Sequence, residues 1–187
     1  KYGIGYIKFN TRGHDIATRG NKKLAGAGFE KFTDCIYDIR AMIRFVKKQG
    51  YKKIILAGHS TGANKALYYC YKTRDRSVKG IILLGPVNDY AAECARKNER
   101  FVRAGLEAAA RLKNPNALMP EKFGIISVMR YKSLYKKGGA EDVFPYYNPS
   151  ASWKELKSVK IPVAVVFGSR DEYLNRSAKK LVSVLLC

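Results

Sequence analysis

The sequence is poor in the residues that bind metals and form cross-links. It contains only two histidines, and its four cysteines are far apart and show no C-x-x-C spacing; they are Cys35, Cys70, Cys94 and Cys187. Zinc sites draw their ligands from cysteine and histidine at short spacings, so the sequence contains no recognisable zinc set. We expect the cysteines to be reduced thiols that mostly serve as packing residues, and we expect neither a metal nor another cofactor.

Long hydrophobic runs are also missing. No apolar stretch approaches the roughly 18 residues of a membrane-spanning helix, and no short apolar segment follows a basic N-terminus as in a signal peptide. With 187 residues, of which 47% are hydrophobic and 27% charged, the composition is that of one globular domain with enough apolar residues for a core. We therefore expect a cytoplasmic protein without a membrane span.

Acidic residues are scarce, since 15 Asp and Glu stand against 36 Lys and Arg and give a formal net charge of +21. This charge is compatible with a polyanionic partner, because phosphate contacts release counterions. The basic residues are nevertheless spread along the chain in pairs such as Lys22-Lys23 and Lys136-Lys137, without a basic tail or a known nucleic-acid-binding module. We favour a generally basic, solvated surface and expect no specific nucleic acid as partner.

Apolar runs and helical patterns alternate along the chain. Runs at Ile4–Phe9, 52–58, Val78–Pro86 and Lys160–Gly168 predict four strands. A loop rich in Gly and Arg follows the first strand, and a helical pattern with apolar residues every three or four positions then leads to the second strand. Another helical pattern separates the second strand from the third. This alternation predicts an α/β fold with a parallel sheet flanked by helices.

The long segment between the third and fourth strands, residues 88–159, contains no convincing strand and has the character of an insertion. Residues 90–114 and 124–137 have helical patterns, whereas residues 141–153 form an aromatic loop interrupted by proline. The predicted organisation is a partial core formed by residues 1–87 and 160–187 and a helical cap formed by residues 88–159.

A serine stands where the second predicted strand ends and a helical pattern begins. Gly58-His59-Ser60-Thr61-Gly62 has the G-x-S-x-G pattern of a nucleophile elbow, in which small residues permit a strained strand-to-helix turn. A serine hydroxyl is a useful nucleophile only if a base removes its proton and donors stabilise the oxyanion. The pattern predicts Ser60 as nucleophile and the N–H of Thr61 as one oxyanion-hole donor. A purely structural glycine turn is the alternative.

Four stretches together resemble the α/β-hydrolase superfamily, and they are FNTRGHDI, GHSTGANKALYY, LLGPVND and FGSRDEYL. The combination is most similar to the serine esterases that include fungal siderophore-ester hydrolases of the fusarinine C type. The resemblance covers nearly the whole chain and implies a hydrolase of esters or related acyl bonds, with the insertion as a cap over the site. It also implies that Asp171, directly after the fourth strand, is the triad acid that orients the histidine.

Other residues compete for the roles of acid and base. Asp171 could instead cap the helix predicted near Leu174. Asp89 follows the third strand and is the second candidate for the acid, although capping the first helix of the insertion suits it better. His59 suits packing at the elbow better than catalysis, because adjacent side chains point in different directions. His14 precedes the serine, whereas in this fold the base follows serine and acid in chain order.

No histidine follows Asp171, and the sequence begins at Lys1 without a methionine. Fewer strands are predicted than the fold usually has, so we expect the chain to be incomplete at both ends, with the catalytic histidine and the second oxyanion donor outside it. Two hypotheses result. In the first, the protein is a serine hydrolase that cleaves carboxylic esters of small to medium acyl or aryl substrates. In the second, it is a catalytically inactive binding or scaffolding module with a basic surface.

Aromatic residues of the insertion bear on the substrate. If the cap folds over Ser60, the side chains of Phe144, Tyr146, Tyr147 and Trp153 would wall a pocket for a medium-sized ester. The alternative is that the aromatic residues of the insertion form the cap's own small core. The surplus of positive charge adds a preference for an anionic small-molecule ester as partner.

Overall fold

The computed structural model describes residues 3–20 and 23–171 of the chain. Their strands and α-helices are, in chain order, β1 (Thr18–Gly20), β2 (Lys23–Ala25), α1 (Cys35–Lys48), β3 (Ile54–His59), α2 (Thr61–Thr73), β4 (Val78–Leu84), α3 (Asp89–Lys97), α4 (Glu99–Arg111), α5 (Val128–Tyr135), α6 (Lys154–Ser158) and β5 (Val163–Val166).

The central sheet contains β3, β4 and β5 in that order, and both pairs of neighbours are parallel. Parallel neighbours need a crossover connection, which α2 supplies between β3 and β4. The strands consist largely of Ile, Leu and Val, which favour strands. Pro162 precedes β5, and its carbonyl still accepts a hydrogen bond from the N–H of Ile81 at 3.0 Å. The predicted α/β fold with a parallel sheet flanked by helices is confirmed, and the arrangement is consistent with an α/β-hydrolase fold.

Helix α2 is the centre of the main hydrophobic core. It packs against β3 and β4, while α1 and α6 pack against α2. Its residues Ala63, Ala66 and Leu67 are buried members of this core. Burial of apolar surface at about 25 cal/mol per Å² is the main favourable term in folding, so this helix is held rigidly at the end of β3.

Helix α1 follows the predicted pattern closely. Its residues Cys35, Ile39 and Ile43 are buried at helical spacing. Gly50, with φ of 90°, stands just after the helix, in a backbone conformation that suits glycine. Cys35, Cys70 and Cys94 are free thiols, and the first two are buried, whereas Cys187 lies outside the described residues.

Three local predictions differ from the structure. Residues 4–9 are not a strand, because they have no paired neighbour among the described residues, and Ile4 and Tyr6 lie in solvent. The loop after them contains the short antiparallel pair β1–β2. The helical pattern of residues 90–114 is interrupted at Asn98, whose φ of 92° ends α3 and begins α4. The helix predicted near Leu174 lies outside the described residues.

The helices of residues 88–159 have a small apolar cluster of their own. Its buried members are Ala109, Met119, Ile126, Val128 and Tyr131. No helix in the described part of the chain is long and apolar enough to cross a bilayer. That residues 88–159 form a cap over the site stays a prediction.

Candidate active site

Ser60 occupies a strained turn between β3 and α2. Its φ of 53° and ψ of −126° lie outside the regions that non-glycine residues normally adopt, which costs on the order of 1–3 kcal/mol. Its N–H donates to the carbonyl of Leu84 in β4 at 2.9 Å, and its own carbonyl accepts from Ala63 in α2 at 2.8 Å. The serine is therefore fixed on both sides, at the carboxyl edge of the parallel sheet, where open α/β sheets bind ligands.

The glycines of the elbow have different steric roles. A Cβ at Gly58 would lie 2.1 Å from the backbone oxygen of Gly62, which no side chain can tolerate without a backbone shift. A Cβ at Gly62 would meet no atom within 4 Å. The close approach of strand and helix therefore requires glycine at position 58 but not at position 62.

Replacing Gly58 with alanine is expected to lower the free energy of unfolding by about 1–3 kcal/mol or more, because strand or helix must move. Gly62→Ala is the matched control and is expected to be neutral or stabilising by up to about 1 kcal/mol, since alanine favours the helix and has room there. Urea unfolding of the two variants measures the difference. Equal stability of the two variants would contradict the steric argument.

Asp171 lies at the same edge of the sheet as the elbow. A Cβ at Gly85, directly after β4, would be 3.4 Å from Oδ2 of Asp171 and 4.0 Å from Nε2 of His59. The Asp171 carboxylate and the His59 imidazole therefore lie beside the same glycine. Gly85 directly follows Leu84, whose carbonyl accepts the Ser60 N–H. Burial and, next, the negative charge of Asp171 raise the pKa of the Tyr146 hydroxyl. These contacts bring Asp171 to the elbow side of the sheet.

The first turn of α2 adds donors and a brace. Thr61 is the first residue of the helix, and first-turn N–H groups have no intrahelical acceptor, so this N–H can serve an oxyanion. One turn later, the buried side chain of Asn64 donates to the carbonyl of Val87 at 2.8 Å and accepts from its N–H at 3.2 Å. The side-chain amide of Asn64 therefore links α2 to the segment that follows β4.

Asp89 is not the cap of α3. Asn88 takes that place, because its side chain accepts from the N–H of Ala91 at 2.8 Å. Asp89 is the first helical residue, and burial, followed by the like charge of Glu141, raises its pKa to about 7 although Arg130 opposes this effect. The prediction that Asp89 caps the helix is therefore wrong, because the residue before it is in extended conformation and reaches the orphan N–H.

Replacing Asp89 with asparagine is expected to stabilise the protein at pH 8 but not at pH 4. The pKa of Asp89 is about 7 in the folded protein, against 3.8 for an ordinary aspartate. Folded Asp89 therefore retains a proton that the unfolded chain has lost, so stability falls as pH rises from about 4 to 7. The neutral amide removes this penalty, which is at most about 4 kcal/mol. Urea unfolding at both pH values tests it, with the exposed Glu121→Gln as control. A gain that is the same at pH 4 and pH 8 would refute it.

A buried chain of charges joins the elbow helix to the insertion. Nζ of Lys65 in α2 lies 2.7 Å from Oε2 of Glu30, and Oε1 of Glu30 lies 3.3 Å from Nη2 of Arg130 in α5. Nη1 of Arg130 contacts Glu141, which also accepts from the Ser133 hydroxyl at 2.7 Å. Breaking a buried pair of this kind costs about 3–5 kcal/mol. This network is not predictable from the sequence, in which the one local signal is a lysine, Lys65, among the apolar residues of α2.

The aromatic residues divide between two cores. Phe144, Tyr146 and Trp153 are buried members of the main core, and the Tyr146 hydroxyl donates to the carbonyl of Pro86 at 3.1 Å. Tyr147 is half-buried and donates to Asp142 at 2.5 Å. Tyr131 belongs to the small cluster of the insertion. The three buried rings offer a ligand little surface in this arrangement, and their role as pocket walls stays a prediction.

Two of the cavities that the described residues border are lined by neither Ser60 nor Asp171. The smaller, of about 380 Å³, lies between α3 and Tyr147. The larger, of about 910 Å³, lies where β4 and β5 begin, at the sheet edge opposite the elbow.

Within the described part of the chain, no three His, Cys, Asp or Glu side chains come together as metal ligands would. His14 lies in the loop before β1, where its Nδ1 is 2.9 Å from the Asp15 carboxylate and both side chains are exposed.

The candidate site is thus a serine at a strained strand-to-helix turn of a parallel sheet, with a carboxylate at the same edge. Residues 25–185 match the sequence profile of a family described as "Protein of unknown function (DUF1749)", and because the match covers most of the chain, the chain belongs to this family. No curated protein matches the sequence significantly.

Among solved structures, the chain is similar to a carboxylesterase of the ammonia-oxidizing thaumarchaeon Nitrososphaera gargenis. The identity is 16% and the TM-score 0.42, and the alignment covers 95% of this chain and 66% of the other. The chain therefore spans slightly less than two thirds of the length of that esterase structure. A likeness this distant does not assign an activity.

Proposed function

We propose that the protein is a serine hydrolase that cleaves carboxylic esters of small to medium acyl or aryl substrates. Ser60 is the nucleophile, the N–H of Thr61 is one oxyanion donor, and Asp171 is the acid that orients the base. The proposed base is a histidine outside the 187 residues, because His14 is exposed beside Asp15 and His59 is the neighbour of the nucleophile. Attack of Oγ on the ester carbonyl carbon, with its proton passing to the base, would break the bond to the alcohol, which leaves with that proton, and would give an acyl-enzyme. Water would then hydrolyse the acyl-enzyme to the carboxylic acid and free Ser60.

The backbone conformation of Ser60 is the observation that carries this proposal. A positive φ at a serine is costly, and it persists only where the surrounding structure holds it. Here Gly58, the ladder bond to Leu84 and the start of α2 hold it together. A helix that merely followed a strand would need none of these features, whereas a nucleophile needs its oxygen exposed beside the first N–H groups of a helix.

The substrate class is the finer part of the proposal. Its support is compositional: residues 88–159 are rich in aromatic side chains, and the chain has a surplus of Lys and Arg that gives a formal net charge of +21. These groups favour an acyl or aryl ester that carries a negative charge. A hydroxamate siderophore ester would fit this description, and it is the substrate suggested by the sequence resemblance.

A panel of substrates tests the proposed function. The full-length protein is incubated with p-nitrophenyl esters of short and long acyl chains, a thioester, an anilide and a peptide. We expect turnover of short to medium esters, with the rate for an anionic ester falling as salt rises because screening weakens steering. Preference for peptides or long-chain lipids would refute the substrate class. Absence of turnover and of fluorophosphonate labelling would favour the binding-module hypothesis.

A further inference from the structure

The larger cavity is lined by an unusual concentration of cations. It lies at the amino-terminal ends of β4 and β5, opposite the elbow, between the end of α2 and helix α6. Six of its lining residues are basic, and they are Arg74, Arg76, Lys79, Lys154, Lys157 and Lys160. All six side chains are exposed.

Within the described part of the chain, few carboxylates balance these cations. Among residues 3–20 and 23–171, none of the six forms an ion pair. Asp75 is the acid of the cavity, and its carboxylate already accepts from the Ser77 N–H at 2.9 Å and from the Tyr69 hydroxyl at 2.7 Å. The carboxyl end of α2 adds about half a negative charge. A large positive excess therefore remains, and like charges this close repel one another unless an anion binds.

The floor of the cavity is apolar. It is formed by Cys70 and Val78, which are buried, and by Val159 and Ile161, which are partly buried. A volume of about 910 Å³ lies within the range of about 300–1,000 Å³ that small-molecule sites occupy. A concave site with an apolar floor and a cationic rim suits a small amphipathic anion, whereas nucleic-acid duplexes are bound by extended basic surfaces.

We propose that this cavity binds an organic polyphosphate, with phosphate groups on the arginine and lysine rim and the organic part on the floor. Arginine and lysine are the side chains that bind phosphate, the first through its fork of N–H donors and the second as a point charge. Six cations match an anion with several charges better than a single carboxylate. The site is separate from Ser60, so it stands whether or not the protein hydrolyses esters.

Calorimetric titration of the full chain at 150 mM NaCl tests the site with ATP, tripolyphosphate and adenosine, all without divalent metal. We expect ATP to bind, tripolyphosphate to bind more weakly and adenosine not to bind. Lys79→Gln/Lys157→Gln is expected to weaken ATP binding about tenfold or more, because it removes two charge-assisted contacts. Lys113→Gln/Lys136→Gln removes the same charge from exposed positions elsewhere and is expected to change the affinity less than twofold.

Several results would overturn the site. The first is that the wild-type chain does not bind ATP. The second is that both double variants lose the same amount of ATP affinity, and the third is that adenosine binds as tightly as ATP. Tripolyphosphate binding as tightly as ATP would overturn the assignment of an organic ligand, and displacement of ATP by a 20-base-pair duplex at lower concentration would identify a nucleic-acid interface instead. If the first pair fails to fold by circular dichroism, Arg76→Gln/Lys154→Gln repeats the test.

Discussion

Replacing Ser60 with alanine is expected to lower kcat for ester hydrolysis by the full-length protein about 10⁴- to 10⁶-fold. The hydroxyl is the atom that forms the acyl-enzyme, and the remaining oxyanion donors and binding contacts give only residual catalysis. Labelling by a fluorophosphonate probe should disappear at the same time. The fold should be retained, because alanine accepts the same backbone conformation at a cost similar to that of serine.

Ser150→Ala is the matched control for this experiment, since Ser150 is an exposed serine in the loop before α6. This variant should keep wild-type kcat and labelling. Labelling that persists unchanged in Ser60→Ala would show that another residue is the nucleophile, and it would remove the main support for the proposed function.

Replacing Asp171 with asparagine is expected to lower kcat up to about 10⁴-fold, because the histidine would lose the carboxylate that holds its tautomer and stabilises its charged form. Asp89→Asn is the matched comparison, with the same chemical change at a carboxylate that follows the neighbouring strand. Asp89 lies beside Glu141 and Arg130, whereas Asp171 lies beside Gly85 and His59 at the elbow side. We therefore expect Asp89→Asn to retain activity.

The steady-state rates of the two variants separate the possible roles. Loss of activity in Asp89→Asn with retention in Asp171→Asn would reverse the assignment of the acid. A capping role for Asp171 predicts instead a loss of only about 1 kcal/mol in stability with kcat unchanged. Measuring the unfolding free energy beside kcat distinguishes these outcomes.

The elbow could be predicted from the sequence because its requirements are local. The close approach at Gly58 and the strand-to-helix turn involve five consecutive residues, 58–62, so their pattern is visible in the chain itself. The parallel strands were predictable for a similar reason, since each is a short apolar run between turns. The strand predicted at residues 4–9 needed a neighbour to pair with, and a single apolar run does not contain that information.

Contacts between residues far apart in the chain could not be predicted from the sequence. Glu30 and Lys65 are 35 positions apart, and nothing at either position indicates the other. The same holds for the aromatic rings, because Phe144 and Tyr131 both stand in the insertion but are buried in different clusters. Hydrophobicity predicts that a ring is buried, whereas three-dimensional packing decides in which core.

The buried chain Lys65–Glu30–Arg130 also bears on the order in which the protein folds. Strand β3, helix α2 and strand β4 are contiguous, so their contacts close short loops, whereas the contact of Arg130 Nε with the Ala27 carbonyl at 2.8 Å joins residues 103 positions apart. Distant contacts of this kind carry the larger entropy of loop closure and form late. We therefore expect β3, α2 and β4 to belong to the folding nucleus. The contacts among Lys65, Glu30 and Arg130 should form after the transition state, so they should mainly lower the rate of unfolding.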